Sequence, residues 1–333
     1  MATLRVPDVV PPPQDDCGKL NKAFNSGFAG LGKDKNAIIE VLGHRSASQR
    51  NRIKETYQQL YKKSLIDELS SGLSNFEIFG EKLAEGDFRK AVIFWTYDPA
   101  ERDARLANEA LNSENKSITE LQVIVEIACA TSPKHLMEVR QAYCSLFDRS
   151  LEEDIIKKVS PPVRKVLVGL VSSYRLDREV VDLDVADLEA DRLREAIESK
   201  HLDRDDIVWI LCFRNPFQLK ATFGCYRRKY GHHICQDIQS CGDGILESIL
   251  RVVIWCIDSP EKHFAEVIKA AIVGLGTDEN SLTRAIVTRA EVDMMKIKGE
   301  YFSMNQSNMD DAVAGDTSGE YWKFLMTLLG SNV

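Results

Sequence analysis

Apolar residues recur along this chain at intervals of three and four. Ile38, Ile39, Val41 and Leu42 form one such stretch, and Ile53, Tyr57, Leu60 and Tyr61 another. That period places an apolar stripe on one face of a helix, so short amphipathic helices with one buried side are predicted. β-branched residues fall inside these helical patterns and no Asn-Gly hairpin turn occurs. The predicted class is therefore all-α.

The pattern is written four times. Aligning His44-Arg45-Ser46-Ala47 with Ala130-Thr131-Ser132-Pro133, Phe213-Arg214-Asn215-Pro216 and Thr288-Arg289-Ala290-Glu291 puts Tyr57, Tyr143, Tyr226 and Tyr301 twelve residues beyond Arg45, Thr131, Arg214 and Arg289. Eight residues on stand Leu65, Leu151, Ile234 and Met309, and four beyond those Leu69, Ile155, Ile238 and Val313. Fixed intervals of this kind mark a repeat of one several-helix unit. Ser, Thr or Asn followed by Pro or a small residue at each anchor suits a helix N-cap.

Successive tyrosines lie 86, 83 and 75 residues apart, so the units are unequal. Two segments account for the extra length. Tyr174 to Ala190, with Asp177, Asp182, Asp184, Asp187 and Glu189, reads as an exposed acidic linker. Ser70 to Gly80, bounded by Gly and carrying Phe76, Ile78 and Phe79, reads as an inserted loop. The expected organisation is a tail over 1–14, repeats over 15–98, 99–174, 188–258 and 259–333, and a linker over 175–187.

At 333 residues, with 44% hydrophobic and 28% charged residues, the chain is ordinary for a soluble globular protein. No apolar run reaches transmembrane length, and residues 1–13 lack the basic end and apolar segment of a signal peptide. Residence in the cytosol is the expectation. The net charge of −8 repels nucleic acid and anionic lipid on average. Attachment to an acidic membrane then requires a local basic patch or bridging divalent cations. The eight cysteines include no C-x-x-C pair and read as small buried apolar residues in a reducing compartment.

The residues that point to chemistry lie near the C-terminal end. Ile272-Val273-Gly274-Leu275-Gly276-Thr277-Asp278 is followed, 38 residues after Thr277, by Gly315-Asp316-Thr317-Ser318-Gly319. Glycine accepts positive φ, so such a loop can turn its carbonyl oxygens toward one point. Asp316 can add a carboxylate, and a hard cation such as Ca²⁺ takes six to eight oxygens of these kinds. The open side of such a cage is left for water or a lipid phosphate, which makes this a calcium-dependent membrane-binding hypothesis.

Four helical units of roughly 70 residues, with a Gly-Leu-Gly-Thr-Asp loop and its Gly-Asp-Thr-Ser-Gly partner, resemble an annexin over nearly the whole chain after about residue 15. Asp98-Pro99-Ala100-Glu101-Arg102-Asp103 and Leu106-Ala107-Asn108-Glu109-Ala110 are similar to the plant branch of that family. The resemblance implies about five helices per repeat, a slightly curved disc, and calcium loops facing the membrane. It also implies a ligand set of three carbonyls and one bidentate carboxylate, which maps onto Ile272, Gly274, Gly276 and Asp316. Val273 and Leu275 are then expected to point outward, toward the interfacial zone of a bilayer.

Matched against the same pattern, the first repeat is damaged. Phe28, Gly30 and Gly32 retain the loop and are candidates for a weak calcium site, but Lys33 replaces Thr and the acid position falls on Gly72. Glu68 and Glu85 are the acids nearby. The second and third loops, Asn112 to Lys116 and Lys200 to Arg204, contain no Gly, and their acid positions fall on Lys158 and Cys241. They are expected to be structural.

Other constellations read as packing. The resemblance links a cysteine pair like Cys129 and Cys256 to a redox-sensitive sulfur cluster, a histidine at the place of His44 to peroxidase activity, and the Asp316-Thr317-Ser318-Gly319 run to nucleotide binding. The residues themselves suggest buried thiols and a helix-end histidine, and no G-x-x-x-x-G-K-[ST] loop occurs. His232, His233, Cys235 and Cys241 lack the regular spacing of structural zinc ligands. The expectation is a non-enzymatic protein that needs Ca²⁺ and meets anionic phospholipid surfaces peripherally when calcium rises, with self-association there and no nucleic-acid partner. A peroxidase or nucleotide-hydrolysing enzyme, and a helical-repeat scaffold with little calcium dependence, are the alternatives.

Overall fold

The structure, a computed structural model, describes residues 1–26, 34–73, 82–274 and 276–331. Those residues form helices and no strand, in four groups of five. The first group is α1 (Pro13–Asn25), α2 (Lys35–Leu42), α3 (Ala47–Tyr61), α4 (Leu65–Gly72) and α5 (Lys82–Thr96). The second is α6 (Pro99–Asn112), α7 (Ile118–Cys129), α8 (Pro133–Phe147), α9 (Leu151–Lys158) and α10 (Val163–Ser172). The third is α11 (Leu183–Glu198), α12 (Asp205–Phe213), α13 (Pro216–Tyr230), α14 (Ile234–Cys241) and α15 (Ile245–Asp258). The fourth is α16 (Pro260–Ile272), α17 (Glu279–Arg289), α18 (Met294–Asn305), α19 (Met309–Asp316) and α20 (Gly319–Leu328). None is long and apolar enough to cross a membrane among the described residues.

The repeated intervals have a structural cause. The four tyrosines sit in the third helix of their groups, α3, α8, α13 and α18, and all are buried. Leu65, Leu151, Ile234 and Met309 each open the fourth helix, and the residue four further on is buried one turn below. Tyr143 and Tyr226 donate their hydroxyls to Asp154 (2.6 Å) and Asp237 (2.7 Å) in those fourth helices, satisfying a polar tip that would otherwise be stranded in the core. Ser46, Ser132 and Asn215 cap α3, α8 and α13 by accepting from the backbone N–H three residues on. The fourth repeat departs from this pattern. Its third helix starts only at Met294, and Glu291 of the preceding turn accepts from the Ala47 N–H at the start of α3 (2.7 Å).

Five residues beyond each tyrosine the chain turns left-handed, at Lys62 (φ 57°), Asp148 (φ 54°), Gly231 (φ 79°) and Gln306 (φ 54°). Only the third repeat uses Gly there. A Cβ in that region costs on the order of 1 kcal/mol, and Lys62 is exposed with its backbone N–H bonded to Gln58. Lys62→Gly is expected to stabilise the fold by up to about 1 kcal/mol, read as a small rise in calorimetric melting temperature.

The helices gather into two compact units, Met1–Arg102 with Phe264–Val333, and Asp103–His263. In the first, α2 and α5 pack on α20, and α5 also on α17; in the second, α7 packs on α15 and α10 on α12. The first unit is centred on fully buried Trp95, which donates its Nε1–H to the Leu42 carbonyl (2.7 Å). Arg50, also fully buried, lies 3.6 Å over the Trp95 ring and reaches Glu291 (2.8 Å). Burial pushes the Arg50 guanidinium down to about 10, against the opposing pull of Glu291. Residues 1–5 are tied to the same unit: Thr3 donates through its N–H to Ala290 and through its hydroxyl to Leu328.

Two expectations about connecting segments change. The acidic run is not all solvated linker: Leu183–Glu198 is α11, Asp182 caps it by accepting from the Val185 N–H, and Glu189 is buried against Arg214 (2.6 Å) and Thr222 (3.2 Å). A carboxylate with a guanidinium and a hydroxyl at its oxygens can be buried where an unpaired one cannot. In the segment from Ser70 to Gly80, Ser70, Ser71 and Gly72 complete α4 rather than forming a loop, and residues 74–81 lie outside the described residues.

Candidate metal centre

The loop that follows α16 is shaped by two glycines. Gly274 has φ 137° and Gly276 φ 90°, and a Cβ on either meets no atom within 4 Å. The demand there is conformational, since these φ values suit glycine and strain other residues. The Asp278 N–H donates to the Ala271 carbonyl (2.8 Å), closing the loop, and the Asp278 carboxylate accepts from the Ser281 N–H (3.1 Å), starting α17.

Asp316 is the last residue of α19 and lies beside this loop. The Thr277 hydroxyl donates to its carboxylate (2.6 Å) and also approaches its carbonyl oxygen (3.1 Å). Thus the residue after Gly276 holds the side chain of a residue 39 positions away. Ile272 ends α16, so the C-termini of α16 and α19 both serve this place. Helix C-termini carry partial negative charge, and a carboxylate added there is unfavourable unless a cation is near. Val273 is 65% exposed, as expected of a residue on the loop's outer side, while Leu275 lies outside the described residues. Among the described residues no group of three or more His, Cys, Asp or Glu is placed to hold a metal. A cation held here would be coordinated mainly by backbone oxygens, which fits a hard ion.

The positions matching Asp316 are the terminal residues of the other fourth helices: Gly72 in α4, Lys158 in α9 and Cys241 in α14. In the second repeat the Lys158 ammonium donates to Asn112 (2.9 Å) and Asp154 (3.3 Å), and Lys116 donates to the Ser113 carbonyl. A fixed positive charge sits where a cation would have to enter. In the third, the Cys241 thiol faces the Ile197 (3.3 Å) and Asp237 (3.5 Å) carbonyls, with burial raising its pKa. In the first repeat α1 ends at Asn25, and the Asp34 N–H donates to the Ala23 carbonyl (3.3 Å). Phe28, Gly30 and Gly32 fall in 27–33, outside the described residues, as does the side chain of Glu85; Glu68 is ion-paired with Lys63 (3.0 Å).

Comparison with known proteins supplies the family. The annexin family profile matches residues 21–76, 102–170, 188–253 and 263–328, one match per five-helix group. The chain belongs to the annexin family. It is 53% identical to annexin D3 of Arabidopsis thaliana over 336 residues, with both chains covered in full. Among solved structures it is similar to annexin III, with a TM-score of 0.87 at 28% identity, covering 100% of this chain and 98% of that one. It is similar also to calcium-bound annexin (Sm)1, with a TM-score of 0.81 at 25% identity, covering 100% and 94%. The family and the all-α fold are those the sequence implied, and the family is one known for calcium-dependent phospholipid binding.

Elsewhere in this annexin most of the singled-out residues are engaged in packing or capping. Cys17, Cys212, Cys225, Cys235 and Cys256 are buried and Cys129 and Cys241 partly so, but Cys144 is exposed, against expectation. Burial pushes the Cys129 thiol up to about 11, with Arg175 pulling the other way, and Cys212 up to about 12. Thiols held so far above neutrality are poor nucleophiles. His44 Nδ1 is 2.8 Å from the Arg5 carbonyl, just beyond the end of α2. His233 caps α14 by accepting from the Cys235 N–H and stacks on Trp255 at 4.8 Å, while His232 is exposed.

The role of Thr277 was not evident from sequence. Its signal is the residue between the second Gly and the Asp, where the first repeat has Lys33.

Proposed function

We propose that this annexin attaches to anionic phospholipid surfaces when calcium is present, chiefly through the loop between α16 and α17. The observation that carries the reading is the tether from Thr277 to Asp316, which sets a carboxylate beside a loop of positive-φ glycines at two helix C-termini. Ile272, Gly274 and Gly276 offer carbonyl oxygens and Asp316 the acid. Calcium, when bound, supplies positive charge shared between these oxygens and a lipid phosphate. Val273, exposed on the loop, is the apolar side chain that would enter the interfacial zone.

The same reading makes the protein a binding protein rather than an enzyme, cytosolic at rest and peripheral on membranes when calcium rises. With one such loop among the described residues, attachment is calcium-demanding, and several molecules on one membrane, or a weak site at Phe28, Gly30 and Gly32, add avidity. A scaffold with little calcium dependence draws support from the filled positions at Lys158 and Cys241.

Vesicle co-sedimentation across calcium concentrations and lipid charges separates the two. Pelleting is expected only with anionic vesicles and calcium, and reversal on chelation; calcium-indifferent pelleting overturns the reading. Gly276→Val forces a β-branched residue to φ 90° and is expected to raise the calcium needed roughly tenfold.

A further inference from the structure

The filled site of the second repeat opens onto a cleft of about 490 Å³ lined by Lys116, Lys158, Val159, Val163, Ile245 and Glu247, with Leu121, Ser160, Leu246 and two prolines completing the wall. That volume lies in the range of small-ligand sites. The cleft is amphipathic by position. Lys116 and Lys158 bring two ammonium groups, apolar side chains follow, and Glu247 is at the start of α15. An ammonium has three N–H donors; Lys116 donates to Ser113 and Lys158 to Asn112 and Asp154, which leaves donors over on each. The turn from α9 to α10 carries Lys157, Lys158, Arg164 and Lys165 with no acid between them, Lys158 and Lys165 being paired with Asp154 and Asp205 from outside it, in a chain of net charge −8. Lys158 occupies the same place in its repeat as Asp316 does in the fourth, so the cleft opens at the end of the repeat that carries the calcium loop.

We propose that this cleft binds one anionic phospholipid without calcium, its phosphate on Lys116 and Lys158 and the upper part of an acyl chain along Ile245, Val159 and Val163. The occupant follows from charge complementarity joined to an apolar wall: a free phosphate has no use for the wall, and a neutral lipid none for the lysines. Glu247, which also lines the cleft, disfavours an anion beside it and so favours seating of the phosphate on the lysines. This site goes beyond the calcium-dependent reading and does not rest on it. In the second repeat, fixed ammonium groups take over the task that the fourth leaves to an ion.

The test is sedimentation in excess chelator, where the fourth-repeat loop is silent. The full chain is expected to bind vesicles of phosphatidylserine in phosphatidylcholine and not pure phosphatidylcholine. Lys116→Gln and Lys158→Gln are each expected to weaken that binding roughly fivefold, with Lys158→Arg restoring it. Ile245→Ser, at an exposed position, is expected to weaken it as well, while Lys134→Gln, on the exposed face of α8, leaves it unchanged. Absence of chelator-resistant binding in the parent protein overturns the proposal. So does an equal loss with Lys134→Gln, which would mark diffuse charge attraction, or full binding by Ile245→Ser. Calcium-dependent pelleting, measured beside it, reports separately on the fourth repeat.

Discussion

Asp316→Ala is expected to abolish calcium-dependent sedimentation with phosphatidylserine vesicles, raising the calcium requirement by more than about a hundredfold. Asp316 is the sole charged member of the proposed ligand set, and the acid of the loop itself, Asp278, is committed to capping α17. Thr277 acts one step removed, by holding the carboxylate at 2.6 Å. Loss of such an orienting partner typically weakens a metal site by roughly 10–100-fold, so Thr277→Val should fall between the parent and Asp316→Ala, with Thr277→Ser close to the parent. Without calcium, Asp316→Ala should melt near the parent temperature. It loses one hydrogen bond, yet it also removes a negative charge from the unfavourable end of α19. Pelleting of Asp316→Ala at the parent's calcium concentration would show that the operative site is elsewhere.

The second large effect is on stability. Arg50→Ala is expected to destabilise the unit of residues 1–102 and 264–333 by roughly 3–5 kcal/mol, lowering its melting temperature by about 5 °C or more. Three losses coincide. The guanidinium stacked 3.6 Å over Trp95 disappears, Glu291 is left without its partner at 2.8 Å, and a side chain with no exposed surface leaves a cavity. Arg50→Lys does not rescue it, because an ammonium cannot stack flat on the indole while reaching Glu291. A melting temperature equal to the parent's would refute this account.

Much of the fold was legible because its pattern is local. Tyr57, Tyr143, Tyr226 and Tyr301 and the leucine-like residues after them stand at constant intervals, since each interval is a helix plus its turn. The candidate ligands were legible for the same reason, as Gly274, Gly276 and Asp316 stand at positions where the other repeats have Gly30, Gly32 and Gly72, or have lost the motif. What sequence did not show is set by long-range pairing. Nothing near Glu189 announces that Arg214 and Thr222 bury it, and it read as solvated because its neighbours are acidic. Nor does Glu291 announce that it reaches the start of α3, a contact 244 residues away. The cleft beside Lys158 is likewise built by two repeats together, and each half alone reads as a proline turn or an unremarkable helix start.

One consequence concerns how this chain can be cut. Residues 1–102 and 264–333 form one body, with α5 seated on α20 and α2 on α20 as well. In an open solenoid a terminal repeat can be trimmed and the remainder still stacks. Here deletion from either end bares an apolar face that belongs at the other, so progressive shortening should give aggregation rather than a three-repeat protein. The other body, 103–263, is continuous in sequence and needs no such closure between distant ends.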